Sequence, residues 1–307
     1  MTVITDAARL PAIETHALSK RYGDVVAAGP LAFSVVAHRV TGFVGRNGAG
    51  KTTTIKMLLG MIAATSGSGR VLGRRIDDPE ASLAIRRHVA YVGEDKGLYA
   101  YMTVGELIRF TRAFYDDWHP ALERRLLAQY ELPIDRKVKA LSKGTRTKLA
   151  LLLALARRPQ LLILDEPTDG LDPVAIEQLL QELAGRSGDG TTIFFSSHQL
   201  GDVERIADDI VMIDRGAIVL ETSLDDLRAH YRVVTVGFTT PPDEKAFGMP
   251  GVLGVRVAGR QAQILASGNA DAIVRRAHSL GATSVQISNA TLREVFLDRA
   301  GGAAAVR

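Results

Sequence analysis

The nine residues GRNGAGKTT, at positions 45–53, constrain this chain more than any other stretch of comparable length. Gly45, Gly48 and Gly50 precede Lys51, Thr52 and Thr53. Before them lies an apolar, β-branched run (RVTGFVG, 39–45); after them, Ile55, Leu58, Leu59 and Ile62 recur at helical spacing. The spacing predicts strand, loop, then helix. Glycines let successive backbone N–H groups turn inward towards an anion, and a helix starting near Lys51 adds its unsatisfied amides and the positive end of its dipole. The pattern G-x-x-x-x-G-K-[ST] in that context makes Gly45, Arg46, Asn47, Gly48, Ala49, Gly50, Lys51, Thr52 and Thr53 a cradle for nucleotide phosphates. Lys51 is placed to reach the β- and γ-phosphates, the Thr52 hydroxyl to ligate Mg²⁺, and Thr53 to bind the α-phosphate. A glycine-rich turn that binds nothing is the bland alternative, and the complete pattern in its expected context argues against it.

Other segments extend this reading. LLILDEPTDGLD (161–172) reads as a second buried strand ending in two carboxylates. Neighbouring residues on a strand point opposite ways, so Asp165 and Glu166 must do different jobs. Asp165 is expected to hold Mg²⁺ opposite Thr52, and Glu166 to polarise the water that attacks the γ-phosphate. Asp172-Pro173 supplies a cap and a first residue for the helix that follows. A third strand, TTIFFSSH, ends at His198, which is placed to contact the γ-phosphate. Between cradle and carboxylates, LSKGTRTKLALLLALARRP (141–159) sets Ser142 and Gly144 ahead of a Leu/Ala helix, a second helix start able to receive an anion. The first cradle already serves one nucleotide, so a second end makes sense if it serves another subunit's nucleotide.

Composition excludes several alternatives. With 38 basic against 34 acidic residues, and no dense basic tract with interleaved aromatics, no nucleic-acid partner is expected. The absence of cysteine removes disulfides and thiolate metal sites. MTVITDAARLPAIE has no basic segment followed by a long apolar core, so no signal peptide is expected. The longest apolar run, LALLLALA (149–156), is far short of the roughly 20 residues that span a bilayer. A soluble protein is expected, with any membrane role exercised through a partner.

Taken together, these motifs, in this order, resemble the ATP-binding cassette (ABC) family, specifically the ATPase subunits of ABC-2-type exporters. GRNGAGKTT resembles Walker A, LLILDE Walker B, LSKGT the LSGGQ signature, TDGLD the D-loop centred on Asp172, and His198 the switch histidine. Tyr22, in SKRYGDVVA, matches the aromatic that stacks on adenine. Glu94, in YVGEDKGLY, stands where the family has its Q-loop glutamine, a position from which a carboxylate can still ligate Mg²⁺. Lys143 and Thr145 replace glycine and glutamine in the signature. The resemblance implies an α/β fold: a P-loop NTPase core of ABC ATPase type, with an antiparallel β subdomain, a helical subdomain and a small C-terminal α+β domain. It implies ATP and Mg²⁺ as ligands. Ser142, Lys143 and Gly144 would face the nucleotide of a second subunit, in a homodimer or heterodimer. A separate transmembrane permease would hold the protein peripherally on the cytoplasmic face of the cell membrane. A non-transport ABC ATPase acting on nucleic acid or ribosomes is the alternative; it usually carries long coiled-coil insertions or two cassettes, and neither is seen here.

Along the chain, residues 1–12 are expected to be a flexible lead-in and 13–222 the nucleotide-binding domain, with a helical subdomain at about 102–158 opened by a Thr103/Glu106 capping box. Leu98, Tyr99, Tyr101 and Met102 form an apolar group suited either to a permease segment or to packing the insert on the core. DIVMIDRGAIVLETS reads as a hairpin turning at Arg215-Gly216. Residues 223–300 read as an accessory α+β domain that ends in a helix capped by Thr291 and Glu294, and 301–307 as a disordered tail.

Overall fold

The computed structural model describes residues 11–302. The expected lead-in lies outside the described residues up to residue 10, and the expected tail lies outside them beyond Gly302. Ala12 is already buried, its N–H donating to the Val35 carbonyl at 2.8 Å. The chain divides into two compact units after Glu221.

The first unit opens with β1 (Ile13–Tyr22), β2 (Val25–Val35), β3 (Val40–Val44), α1 (Lys51–Leu58), β4 (Ser66–Val71), β5 (Arg74–Arg75), α2 (Pro79–His88) and β6 (Val89–Val92). Then come α3 (Val104–Arg112), α4 (Pro120–Gln129) and α5 (Lys143–Leu155). It closes with β7 (Leu161–Asp165), α6 (Pro173–Gly188), β8 (Thr192–Ser197), α7 (Leu200–Ile206), β9 (Asp209–Asp214) and β10 (Ala217–Ser223). One sheet, ordered β2-β1-β4-β5, is antiparallel; the other is ordered β10-β9-β3-β8-β7-β6. From β9 to β6 that second sheet is parallel. Its strands β3, β7 and β8 are buried along their whole length, which explains why they read as unbroken apolar runs rather than alternating ones. β10 returns beside β9 through Arg215-Gly216, both at positive φ (47° and 79°), as a tight hairpin requires.

Aromatic packing joins the two sheets. Phe33 of β2 stacks on Phe43 of β3 and Phe194 of β8, with ring centroids 5.8 and 6.1 Å away, and Phe43 and Phe194 stack at 5.2 Å. The helical segment attaches differently. Thr103 and Glu106 cap α3 reciprocally, as expected. The apolar run of α5 is buried. Arg125 of α4 grips both oxygens of Glu182 on α6 at 2.8 and 2.9 Å, and Arg186 donates to the same carboxylate at 2.8 Å. A carboxylate this buried is tolerated because it is paired twice. The cradle helix is shorter than its apolar spacing predicts: α1 stops at Leu58, because Gly60 takes a left-handed φ of 63° and turns the chain. Ile62 therefore packs on the core from beyond the helix.

The second unit comprises α8 (Leu224–His230), β11 (Tyr231–Gly237), β12 (Val252–Ala258), β13 (Gln261–Ser267), α9 (Ala270–Ser279), β14 (Ser284–Asn289) and α10 (Leu292–Gly302). Its sheet, β12-β13-β11-β14, is antiparallel throughout. Val234, Val236, Phe247 and Ile264 pack with Ile273 and Ala277 of α9. The Thr291/Glu294 box caps α10, Thr291 N–H donating to Glu294 Oε2 at 2.8 Å. The sequence reading does not anticipate α8, a short helix capped by Ser223.

Phe194→Ala removes a ring from the stack between the sheets and should destabilise the first unit by about 3–5 kcal/mol. Denaturant unfolding followed through Trp118, the chain's single tryptophan and part of this unit, measures the loss.

Candidate functional site

The parallel register brings the ends of β3, β8 and β7 together. Val44 pairs with Ser197, and Ser196 with Asp165, so the chain leaves three adjacent strands on one edge as Gly45, His198 and Glu166. In open α/β sheets this carboxyl edge is where ligands bind. Here a cleft of about 730 Å³ is lined by Arg46, Asn47, Gly48, Gly50, Lys51, Thr52, Thr53, Glu94, Glu166, Asp169 and His198, with Val25, Val26 and Ala27 along one side.

The loop is shaped by close approach. Gly50, the cap of α1, sits at φ 106°, and a Cβ there would lie 2.5 Å from the Ala27 carbonyl. Gly48 has φ 78° and open space beside it, so its backbone borders the cleft without obstruction. Gly45 and Ala49 stand behind the loop. A Cβ on Gly45 would meet the Ile213 carbonyl at 2.5 Å, and the Ala49 carbonyl accepts from Gly216 N–H at 3.0 Å. No acidic residue occupies the first turn of α1 itself; the negative charge near its positive end comes from Glu166, beyond β7.

The two carboxylates at the end of β7 make different contacts, but not by strand alternation: β7 ends at Asp165, and Glu166 lies beyond it. Asp165 is wholly buried; it accepts from the Thr52 hydroxyl at 2.7 Å through one oxygen and from the Ser196 hydroxyl at 2.5 Å through the other. Glu166 turns into the cleft from a left-handed φ of 50°, a conformation that costs a non-glycine residue about 1–3 kcal/mol. Its N–H, held by Ser196 Oγ at 3.1 Å, helps to fix that turn. Glu166 Oε2 accepts from His198 Nδ1 at 2.8 Å and from His198 N–H at 3.3 Å. Glu166 Oε1 lies 3.1 Å from the Lys51 ammonium, an ion pair by distance with angles outside the hydrogen-bond range. Lys51 also donates to the Gly45 and Arg46 carbonyls, at 2.7 and 3.3 Å. Lys51 and Glu166 are 6% and 8% exposed, so each depends on the other for its charge.

The residues present suit Mg²⁺. Thr52 Oγ1 and Asp165 Oδ2 converge, and Glu94 lines the same cleft. Mg²⁺ prefers oxygen and is commonly bound by one or two protein donors plus substrate phosphates. Such a site needs no cage of three or more His, Cys, Asp or Glu side chains, and none occurs among the described residues. Beneath it the Tyr91 phenol is pushed up to about 12, first by burial and then by the negative charges of Asp165 and Glu94.

The other sequence candidates lie off the cleft lining. Tyr22 is exposed at the end of β1 with the Lys20 ammonium 5.1 Å from its ring centre, and it pairs with Val25, which does border the cleft. Ser142 caps α5, accepting from Thr145 N–H at 3.1 Å, and Lys143 and Gly144 form the first turn of that helix. Asp172 caps α6 by accepting from Ala175 N–H at 2.9 Å, a bond that draws its carboxyl below the usual range. Sequence reasoning missed Ser196, which holds both Asp165 and the Glu166 backbone, and Asp169, which lines the cleft. A signal for Ser196 was available: two serines closing an otherwise apolar buried strand.

Lys51→Ala strips the cleft of its central cation and leaves Glu166 with His198 as its remaining side-chain partner. ATP affinity, measured by equilibrium dialysis with radiolabelled nucleotide, should fall by roughly 10- to 100-fold.

The chain resembles known proteins over most of its length. A family model described as ABC transporter matches residues 29–169. The bacitracin transport ATP-binding protein BcrA of Bacillus licheniformis is 35% identical over 225 residues, 72% of this chain and 72% of that protein. The Nod factor export ATP-binding protein I of Ralstonia nicotianae is 32% identical over 225 residues, 72% of this chain and 70% of the relative. A solved ATP-binding subunit of an ABC transporter, 31% identical, superposes with a TM-score of 0.65 and covers 71% of this chain and 92% of its own. With motif order, strand register and cleft chemistry in agreement, the chain belongs to the ABC transporter family, as an ATP-binding and ATP-hydrolysing subunit.

Proposed function

We propose that this protein powers export through a separate membrane permease, as the ATPase subunit of an ABC-2-type system. The observation that carries its ATP-hydrolysing part is the placement of Glu166 at the cleft, between the Lys51 ammonium and His198 Nδ1. A carboxylate held there accepts the proton of a water attacking the γ-phosphate, while Lys51 and the amide end of α1 stabilise the charge on the phosphate oxygens. His198 keeps Glu166 aimed. Thr52, Asp165 and Glu94 would hold Mg²⁺, which would neutralise charge on the β- and γ-phosphates. Tyr22 offers a ring for adenine.

Ser142, Lys143, Gly144 and Asp172 do not line the cleft, and this supports a second function for them: completing the site of a second subunit, identical or closely related. ATP would close such a dimer and hydrolysis would reopen it. Among the described residues no helix is long and apolar enough to cross a membrane; in this reading the transport path belongs to the permease. The chain would then lie on the cytoplasmic face of the membrane, held by that partner. The name of one relative, the Nod factor export ATP-binding protein I, favours the outward direction. Residues 13–222 would be the nucleotide-binding domain and 223–300 the accessory domain, a division supported by the break in compactness after Glu221.

An aromatic stripe supports contact with the permease. Tyr99 packs on Tyr101 and Phe110, and Phe110 on Phe114, with centroids 5.9, 5.5 and 5.1 Å apart, yet Tyr101 and Phe114 remain 68% and 67% exposed. Leu98 and Met102 beside them are half-buried. Four exposed rings side by side are the composition of an interface rather than of a solvated face.

Glu166→Gln should lower ATP turnover by about 10²- to 10⁴-fold while ATP binding persists, and should trap an ATP-bound dimer detectable by size exclusion with light scattering. Normal turnover in that variant would remove Glu166 from the role. Replacing both Tyr101 and Phe114 by Ser should leave ATP turnover of the isolated protein intact and abolish its co-purification with a membrane protein from detergent-solubilised cells. Undiminished co-purification would place the permease elsewhere.

A further inference from the structure

An ion pair ties together two parts of this chain that the proposed function assigns to different nucleotide sites. Lys143, in the first turn of α5 between Ser142 and Gly144, donates to Asp169 Oδ2 at 2.6 Å. Asp169 belongs to the turn that carries Glu166, its own N–H donating to the Glu166 carbonyl at 3.2 Å, and it lines the cleft with Glu166 and His198. The contact is close along its length. A Cβ on Gly170, which has φ 78°, would lie 2.8 Å from Lys143 Cδ, and a Cβ on Gly144 would lie 2.9 Å from the Gly170 carbonyl. Both positions therefore depend on glycine for this fit. The hydrogen bond draws the Asp169 carboxyl below its ordinary range and raises the Lys143 ammonium above its own, so both are charged at neutral pH. Glu94 links the two regions a second time, lining both the nucleotide cleft and a hollow of about 350 Å³ shared with Lys96, Lys143 and Arg146.

We propose that the Lys143–Asp169 pair is a positioning link between half-sites: it ties the phosphate-receiving end of α5 to the turn that aims Glu166. In a closed dimer, the Ser142–Gly144 end of one subunit meets the nucleotide of its partner. Through Asp169, that engagement sets the aim of Glu166 in the first subunit's own site, so occupancy of one site is read by the other. Lys143 would then serve chiefly through its hold on Asp169. This differs from a lysine that simply adds positive charge near the opposed phosphate, because such a lysine would gain freedom to act if Asp169 lost its charge. The inference rests on the dimeric reading above.

The test is the ATP dependence of hydrolysis by the full-length protein, with the variants Lys143→Ala, Asp169→Asn, the double variant, Lys143→Arg and Asp169→Glu. A two-site enzyme allows a Hill coefficient up to about 2. We expect a value approaching this in the natural protein and about 1 in Lys143→Ala and Asp169→Asn alike, with no further loss of kcat in the double variant. Lys143→Arg and Asp169→Glu, which preserve the charges, should retain cooperativity; a merely structural role would lower thermal stability without this pattern. Asp169→Ser supplies the same loss of charge should Asp169→Asn fold poorly. Retained cooperativity in Asp169→Asn beside its loss in Lys143→Ala would overturn the link and make Lys143 a phosphate-directed charge. A Hill coefficient near 1 in the natural protein would also overturn it. Dimer formation by Glu166→Gln is measured in parallel: no ATP-bound dimer means that the dimeric reading fails, whereas a dimer without the expected cooperativity pattern means that the link alone fails.

Discussion

Two buried charges that cannot do without each other organise the mouth of this cleft. The Lys51 ammonium and the Glu166 carboxylate are each less than a tenth exposed and lie 3.1 Å apart. Removing either would leave the other as an uncompensated buried charge, a change that typically costs about 3–5 kcal/mol. Glu166 is held in turn by His198, and its neighbour Asp165 by Thr52 and Ser196. The loop after β3, the end of β7 and the end of β8 are therefore locked together by charge as well as by strand pairing. An anion entering beside Lys51 would compete directly with Glu166 for its cation, which gives the carboxylate a physical reason to respond to phosphate.

Much of this was legible in the sequence because the site uses backbone and strand geometry that local pattern encodes. The strand–glycine–lysine–threonine order locates α1 and the loop before it, and two carboxylates closing an apolar strand mark the edge at which Asp165 and Glu166 lie. Capping boxes at Thr103/Glu106 and Thr291/Glu294 marked helix starts that the structure contains. Legibility ended where contacts join residues distant in the chain. Ser196 on Asp165, Arg125 on Glu182 and Lys143 on Asp169 span 31, 57 and 26 positions, and no local period reports them. The end of α1 is hidden for a related reason: Ile62 keeps an apolar role from beyond the helix, so the periodicity continues past the left-handed turn at Gly60.

The helical segment bears on function through the way it is attached. Its three helices add no strand to the parallel sheet; polar grips at Arg125–Glu182–Arg186 and Lys143–Asp169 supplement the apolar face of α5. Arg157, just past the end of α5, stacks on the Tyr115 ring at 3.9 Å and donates to the Arg86 carbonyl at 2.9 Å. Ion pairs and stacked side chains can be remade after a small displacement, whereas a ladder of backbone hydrogen bonds breaks as a unit. No β-ladder bond ties the N-terminal end of α5 to the parallel sheet, an attachment that would suit a phosphate-receiving end shared between subunits.

In the proposed dimer this chain supplies one half of each of two ATP sites and hydrolyses ATP when paired. The most direct measurement is specific ATPase activity as a function of protein concentration, with association state followed by light scattering at saturating ATP. Activity per molecule should rise with concentration and level off as the dimer population saturates. Activity per molecule that stays constant at dilutions where only monomer is present would contradict it.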